Sequence, residues 1–320
     1  MNEKKITKLV LAGGGTKGFA LLGCLQLFNE YNLLKDINSY WGTSVGSIIC
    51  TLLLIGYTPL EIFHEIFITD NLVEKYTSDI YTVINNVGLC QIEEFGKRIL
   101  GYIIKKVGFN PTFNDLYTIY KKHLCIVGTN LTQMKGEYFS DQTHPNMKVI
   151  DAIEISCDIP LIFTKKVYNN NTYVDGAFVN NFPIDIADNN ENTYILGIDL
   201  DFDAIFEYNM SWIVNLWLIT IKELHNLRLQ CISKNVILIR LQDLHISPFE
   251  MSLSKKKKTE LYIKGYKQAR SNINNKNSYL YKIYNQLLSH EYNWNWDDIS
   301  EEHIVEFGNK NDLELTKKNK

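Results

Sequence analysis

The sequence predicts an α/β protein with three layers, in which helices cover both faces of a mostly parallel central sheet. Short apolar runs rich in β-branched residues alternate along the chain with longer segments whose apolar residues recur at helical spacing. The runs are apolar on both of their faces, which is typical of parallel strands covered on both sides. With 320 residues and 45% hydrophobic content, the chain can bury a sizeable core.

The first part of the chain contains two strand–helix units. The predicted elements are a strand at 6–12, a helix at 17–34, a strand at 38–43 and a helix at 45–55 that is closed by Gly56. Another helix should begin at Thr58, because a hydroxyl is followed by proline and, three residues on, by Glu61.

The pattern continues through the middle and later parts of the chain. The predicted helices are 91–107, 112–122, 147–156, 210–229 and 255–269. The predicted strands are 123–129 paired with 135–140, short strands around a turn at 169–171, and strands at 194–200 and 236–241.

Charge and composition exclude several classes of protein. A net charge of −3 and a pI near 6.2 argue against a nucleic-acid partner. We find no secretory leader, and the longest apolar stretches are too short to span a bilayer. The six cysteines are scattered, which is typical of reduced thiols. These features predict a cytoplasmic protein that contacts membranes only peripherally, and they leave its oligomeric state open.

A glycine-rich loop follows the first strand. Gly13, Gly15 and Gly18 satisfy the G-x-G-x-x-G spacing of a dinucleotide-binding turn, but the same loop could present N–H groups to another anion. The acid that should bind a ribose lies after the second strand in dinucleotide-binding folds. Here Asp36 precedes that strand, so the dinucleotide hypothesis is the weaker alternative.

The second strand ends in Gly42-Thr43-Ser44-Val45-Gly46, which is a G-x-S-x-G sequence followed at once by an apolar helix. This is the context of a nucleophile elbow, in which two glycines allow a sharp turn that exposes the serine hydroxyl. The simpler alternative is that Ser44 only caps the helix. With a nucleophile at Ser44, Gly13, Gly14 and Gly15 are predicted to form an oxyanion hole, with Lys17 adding positive charge nearby.

A serine nucleophile needs a base, and Asp175 is the candidate. It follows a predicted strand, and Gly176 allows the turn that would project it, although Asp-Gly turns are common. None of the later histidines lies in a recognisable loop after a strand; these are His225, His245, His290 and His303. We expect Ser44 and Asp175 to approach within hydrogen-bond reach, because both follow strands whose carboxyl ends should meet at one crevice.

Four motifs in order resemble the patatin-like phospholipase family. They are G-G-G-x-[RK]-G at 13–18, G-x-S-x-G at 42–46, S-x-x-x-P-x-x-F at 156–163 and D-G-[GA]-x-x-x-N-x-P at 175–183. A segment at 247–269 also resembles the closing helix of the family. The resemblance predicts a patatin-like domain over 5–275 and a polar, loosely packed C-terminal extension over 276–320.

The resemblance implies a lipid acyl hydrolase with a Ser–Asp dyad and no cofactor or metal. Ser44 would be the nucleophile and Asp175 the only base, supported by five further residues: Lys17, Gly18, Gly42, Gly46 and Gly176. Two positions depart from the family pattern, because Lys17 replaces the usual arginine and the second motif reads D-G-A. The implied substrates are phospholipids, lysophospholipids or related glycerolipids, and a non-catalytic lipid-binding relative is the alternative.

A lipid substrate implies contact with a membrane or micelle surface. The candidate segments are the region of Trp212, Val214 and Trp217 and the lysine run at 255–258, although a buried helix and a solvated helix start explain them more simply. Asp199, Asp201 and Asp203 alternate as in a calcium loop, but the glycine and glutamate that such a loop needs are missing.

Overall fold

The computed structural model describes residues 5–68, 88–188, 193–201, 212–246 and 253–274. Within those ranges the chain forms a three-layer α/β/α fold, as the sequence predicts. The strands are β1 (Ile6–Leu11), β2 (Ser39–Gly42), β3 (Gly88–Cys90), β4 (His123–Asn130), β5 (Lys135–Ser140), β6 (Leu161–Phe163), β7 (Lys166–Tyr168), β8 (Asn171–Asp175), β9 (Tyr194–Leu200) and β10 (Val236–Leu241).

The helices lie between these strands along the chain, singly or in pairs. They are α1 (Gly18–Glu30), α2 (Val45–Leu54), α3 (Pro59–Glu61, continued by a π-helical turn at Ile62–Ile68), α4 (Ile92–Val107), α5 (Phe113–Tyr120), α6 (Val149–Ser156), α7 (Ala177–Asn180), α8 (Ile184–Ala187), α9 (Trp212–Leu229) and α10 (Lys255–Asn274). The predicted boundary at residue 275 stays a prediction, since 275–320 lie outside the described residues.

The main sheet has the strand order β10-β9-β1-β2-β4-β8-β7, and β5 pairs with β4. The five strands from β10 to β4 are parallel to their neighbours. Consequently the loops after β1 and β2 leave the sheet at the same edge. A separate two-stranded sheet of β3 and β6, which the sequence pattern did not predict, lies beside it.

The strand that carries Asp175 does not run parallel to its neighbour in the mostly parallel sheet. Strand β8 is antiparallel to β4, with Asp175 paired to Gly128 and Tyr173 paired to Asn130. Asp175 still reaches the crevice, because β8 pairs only with the last three residues of β4. The carboxyl end of β8 therefore lies close to the carboxyl ends of the parallel strands.

Helix α1 is shorter than the predicted 17–34. Asn32 adopts φ = 54°, and the N–H groups of Asn32 and Leu33 bond to the carbonyls of Asn29 and Phe28 at 2.9 Å each. This is a Schellman motif, which ends a helix whatever the hydrophobicity of the next residues. The capped helix start predicted at Thr58 is present as a capping box with Glu61, and Thr112 forms a second capping box with Asp115.

Helix α10 packs on α1 with direct backbone contact. A Cβ added to Gly23 would lie 1.8 Å from the carbonyl oxygen of Tyr262, and one added to Gly265 would lie 2.0 Å from that of Ala20. The two helices therefore cross at two glycines. This crossing fixes α1, the helix that continues from the glycine-rich loop.

Candidate active site

Ser44 occupies a strained turn between β2 and α2. Its backbone angles are φ = 53° and ψ = −126°, a region that residues with a side chain rarely adopt. A Cβ on Gly42 would lie 2.5 Å from the carbonyl carbon of Gly46, and a Cβ on Gly46 would lie 2.6 Å from the carbonyl oxygen of Leu11. The two glycines of the G-x-S-x-G motif are therefore required by close backbone contacts.

The neighbouring polar groups hold this turn in place. The N–H of Ser44 donates to Oγ of Ser156 at 2.8 Å, and the hydroxyl of Ser47 donates to the carbonyl of Ser44 at 2.6 Å. Helix α2 begins at the next residue, so its positive end points at the serine.

Ser44 and Asp175 line the same cavity, and both residues are buried. The hydroxyl of Ser44 is near enough to the carboxylate of Asp175 to favour its charged form. Oδ1 of Asp175 also accepts the N–H of Ala177 at 2.7 Å, which fixes the orientation of the carboxylate. A Cβ on Gly176 would lie 2.3 Å from the carbonyl oxygen of Val127, so this turn also requires glycine.

Burial gives Asp175 the proton affinity of a base that works near neutrality. Desolvation raises the pKa of Asp175 to about 7, while the N–H of Ala177 and the nearby hydroxyl of Ser44 favour the charged form and limit the rise. A carboxylate with this pKa is a much stronger proton acceptor than an exposed aspartate.

The glycine loop requires one correction. The N–H of Gly13 donates to the carbonyl of Asn181 at 2.9 Å, and the side-chain amide of Asn181 donates back to the carbonyl of Gly13 at 3.1 Å. Gly13 therefore has no N–H left for an oxyanion and instead anchors the loop. Gly14 and Gly15 have N–H groups without a hydrogen-bond partner in the described part of the chain.

Lys17 and Gly18 support the loop from the start of α1. Nζ of Lys17 donates to the carbonyl of Asp201 at 3.1 Å, so the ammonium group is tied to the end of β9. A Cβ on Gly18 would lie 2.4 Å from the side chain of Val45, the residue after the serine. Gly18 thus lets α1 approach the elbow.

A cavity opens over these groups. Its polar end is formed by the glycine loop, Lys17, Ser44 and Asp175, and its remaining wall is mainly apolar. The apolar wall consists of Ile159, Pro160, Ala177, Phe178, Leu200, Trp217, Leu218 and Ile221. The cavity therefore has a polar end suited to an ester group and an apolar end suited to hydrocarbon.

Two buried residues beside the dyad escaped the sequence analysis. The carbonyl of Asp158 accepts the N–H of Asp175 at 2.8 Å, and its Oδ2 accepts the N–H of Lys166 at 2.7 Å. Oδ1 of Asp158 has no hydrogen-bond partner among the described residues. Burial and, to a lesser degree, the charge of Asp175 raise the pKa of Asp158 to about 7. Only the position of Asp158 inside the S-x-x-x-P motif could have drawn attention to it.

Cys157 is buried beside the elbow, where the hydroxyls of Ser44 and Ser47 slightly favour the charged form of its thiol. Burial raises the pKa of the Cys157 thiol well above its ordinary value, so the thiol stays neutral beneath the elbow.

Of the later histidines and aspartates that the structure describes, Asp201 lines the cavity with Ser44, whereas Asp199, His225 and His245 do not. Nε2 of His225 bonds to Oδ2 of Asp199 at 3.0 Å, and Nε of Arg240 bonds to the same oxygen at 3.1 Å. Asp199 is therefore part of a buried ionic network at the end of β9. His245 is exposed, while Asp203, His290 and His303 lie outside the described residues. Among the residues described, no group of three His, Cys, Asp or Glu side chains could hold a metal.

The sequence of the chain matches the family model of patatin-like phospholipases over residues 9–188. That match spans more than half of the 320 residues. The chain belongs to the patatin-like phospholipase family. All four motifs lie inside the matched region.

Two known sequences and one solved structure are similar to this chain. The chain is 37% identical over 190 residues to the probable lipid hydrolase 463L of Invertebrate iridescent virus 6, a match that covers 58% of this chain and 65% of the viral protein. It is 25% identical over 303 residues to YqhO of Bacillus subtilis, covering 80% of this chain and 97% of that protein. The crystal structure of VipD from Legionella pneumophila has the same fold, with a TM-score of 0.53 at 16% identity over 83% of this chain and 66% of VipD.

The structure describes some of the residues that were predicted to contact a membrane. Trp217 lines the cavity, whereas the side chains of Trp212 and Val214 are not among those described. Lys258 is buried with its ammonium 5.7 Å from the ring centroid of Phe19, so the lysine run is only partly solvated. Across the described ranges, the helices are too short or too polar to cross a bilayer.

Proposed function

We propose that this protein is a serine lipid acyl hydrolase that cleaves carboxylic ester bonds of phospholipids, lysophospholipids or related glycerolipids. The observation that carries the proposal is the placement of Ser44, in a strained turn, and of buried Asp175 in the wall of one mainly apolar cavity. Family membership supports the reaction class.

In the first half of the proposed reaction, the hydroxyl of Ser44 attacks the ester carbonyl and its proton passes to Asp175. The negative charge on the carbonyl oxygen is stabilised by the N–H groups of Gly14 and Gly15 and by the positive end of α2. The intermediate then expels the alcohol of the glycerolipid, which takes the proton from Asp175 and leaves an acyl group on Ser44.

In the second half, Asp175 accepts a proton from water, and the water oxygen attacks the acyl group. The fatty acid is released and the proton returns to Ser44. One carboxylate therefore serves both half-reactions, first as base and then as acid. The apolar wall around Phe178 and Trp217 would hold the acyl chain during both steps.

The dinucleotide alternative requires Ser44 to be remote from Asp175, whereas the two residues line the same cavity. The non-catalytic alternative requires a dyad that does not react. A fluorophosphonate probe separates the two remaining possibilities, because it labels only a serine whose hydroxyl is activated.

We expect the probe to label the wild-type protein and Ser140→Ala, in which a serine of β5 remote from the cavity is removed. Ser44→Ala should not be labelled, and Asp175→Asn should be labelled at least about 100-fold more slowly. Equal labelling of the wild type and Ser44→Ala would refute the proposal. A panel of phospholipids and neutral glycerides then identifies the substrate.

A further inference from the structure

The cavity that contains Ser44 is too small for a long acyl chain. Its volume is about 90 Å³, whereas pockets for drug-sized ligands measure about 300–1,000 Å³. An apolar cavity of about 150 Å³ accommodates one benzene molecule, which has six carbon atoms. On that scale, this cavity has room for about four carbon atoms.

Two aromatic rings stand in the apolar wall of the cavity, and we call them the aromatic pair. They belong to Phe178 of α7 and Trp217 of α9, and they meet edge to face with centroids 5.7 Å apart. Phe178 follows Ala177, whose N–H bonds to the carboxylate of Asp175. The aromatic pair is therefore close to the reacting groups, and an acyl chain that extends from Ser44 meets it within a few carbon atoms.

Contacts farther along α9 hold this wall in place. Nε2 of His225 bonds to Oδ2 of Asp199 at 3.0 Å, and both side chains are buried. Arg228 is paired with Asp185, and its Nη2 donates to the carbonyl of Val179 at 3.2 Å. These contacts tie α9 to β9, α8 and α7. Displacement of the whole helix by a long acyl chain would have to break them.

We propose that Trp217 sets the length of the acyl chain that this site accepts, and that the preferred substrates carry short acyl chains of about four to six carbon atoms. The inference rests on the proposed function, because it concerns the acyl group that Ser44 would accept. The indole of Trp217 is the largest side chain in the apolar wall. Its removal lengthens the cavity without altering Ser44 or Asp175.

The test is a series of p-nitrophenyl esters from acetate to laurate, each kept below its solubility limit. For the wild type, kcat/KM should rise about fourfold with each methylene that enters the apolar cavity, as far as butyrate or hexanoate. Decanoate and laurate should be hydrolysed about 10-fold less efficiently than the best ester, or worse, because their chains extend past the wall. A kcat/KM that rises or stays level up to laurate would overturn the proposal.

Trp217→Ala should move the preference towards longer chains. The ratio of kcat/KM for decanoate to kcat/KM for butyrate should increase about 10-fold or more over the wild-type ratio, because the indole no longer blocks the chain. Trp217→Phe keeps a smaller aromatic ring, so its ratio should lie between those of the wild type and Trp217→Ala. A loss by the same factor for every ester would make Trp217 a structural residue and refute its role in selection.

The matched control is Leu216→Ala. Leu216 precedes Trp217 on α9, but its side chain is 54% accessible and does not line the cavity. Its truncation should leave the chain-length profile of the wild type unchanged. An equal shift in Leu216→Ala and Trp217→Ala would contradict the assignment to the indole.

Failure of the proposed function would give a different result. If the wild type hydrolyses no ester of the series and a fluorophosphonate does not label Ser44, the proposed function fails and the inference fails with it. If the esters are hydrolysed with one profile in both the wild type and Trp217→Ala, only the role of Trp217 is wrong.

Discussion

The backbone N–H of Ser44 donates a 2.8 Å hydrogen bond to the hydroxyl oxygen of Ser156, a fully buried residue at the end of α6. The contact joins two segments that are 112 positions apart in the sequence. It satisfies a backbone donor in the strained turn, where no regular secondary structure can do so.

Ser156→Ala should therefore damage both stability and rate. The buried N–H of Ser44 loses its acceptor, which costs about 1–3 kcal/mol of folding free energy. The elbow is then free to relax, and we expect kcat on a soluble ester to fall about 10-fold. Denaturant unfolding and steady-state kinetics measure the two effects.

The control is Thr51→Ala, which removes a 2.8 Å hydrogen bond to the carbonyl of Ser47 within α2. It should lower stability without lowering kcat. An unchanged kcat in Ser156→Ala would show that Ser156 does not position the nucleophile.

Activity should depend on the ionisation of Asp175. Burial raises the pKa of Asp175 to about 7, and only the ionised carboxylate can accept the proton of Ser44. We expect kcat/KM for an uncharged ester to fall about 10-fold per pH unit below about pH 7. The rate of fluorophosphonate labelling should follow the same curve, and a profile that is flat down to pH 5 would contradict the assignment.

Asp158 should shift that pH profile, because its carboxylate is buried close to Asp175. The charged groups that act on the Asp158 carboxylate are Asp175, Glu93 and Lys166. Because Asp158 and Asp175 are both buried, ionisation of one carboxylate disfavours ionisation of the other. Asp158→Asn removes one member of the pair, so Asp175 should ionise more readily. We expect the acidic limb of kcat/KM to move to lower pH, and an unchanged or higher midpoint would contradict the coupling.

The buried carboxylate should also cost stability. The pKa of Asp175 rises from its ordinary value of 3.8 to about 7 on folding, so the folded chain binds this proton more tightly than the unfolded chain. Stability contributed by this group therefore decreases as the pH rises from about 4 to about 7. Asp175→Asn should raise Tm by about 4 °C or more at pH 8, with a smaller gain at pH 5.

Thermal unfolding at the two pH values measures this effect. Ser44→Ala is the control, because it is also expected to be inactive yet keeps the Asp175 carboxylate. A lower Tm for Asp175→Asn at pH 8 would mean that its hydrogen bonds outweigh its desolvation.

Most elements of the fold follow from local sequence signals. The strand at Tyr194–Leu200 has the predicted limits, and the helix at Val45–Leu54 ends one residue earlier than predicted. Both are nearly continuous apolar runs bounded by polar or glycine residues, so burial and local propensity agree. The Schellman end of α1 was missed because Leu33 and Leu34 continue the apolar pattern past the turn.

The site was predictable in its residues but not in its connections. Ser44 and Asp175 stand in recognisable motifs, yet the antiparallel direction of β8 depends on a hairpin with β7 that lies outside both motifs. The hydrogen bond between Asn181 and Gly13 joins loops that are 168 positions apart, so no local sequence pattern predicts it. The burial of Asp158 likewise depends on packing from several elements.

Strand β1 lies between β2 and β9, and β9 in turn pairs with β10. Residues 9–188, the segment that identifies the family, therefore contain only one of the two neighbours of β1. A protein fragment cut to that segment would leave the apolar strand that carries the glycine loop with an open edge, which is a template for aggregation. During synthesis the same edge stays unpaired until the ribosome has released residues beyond 200, so the nascent chain exposes an edge open to wrong pairing throughout that interval.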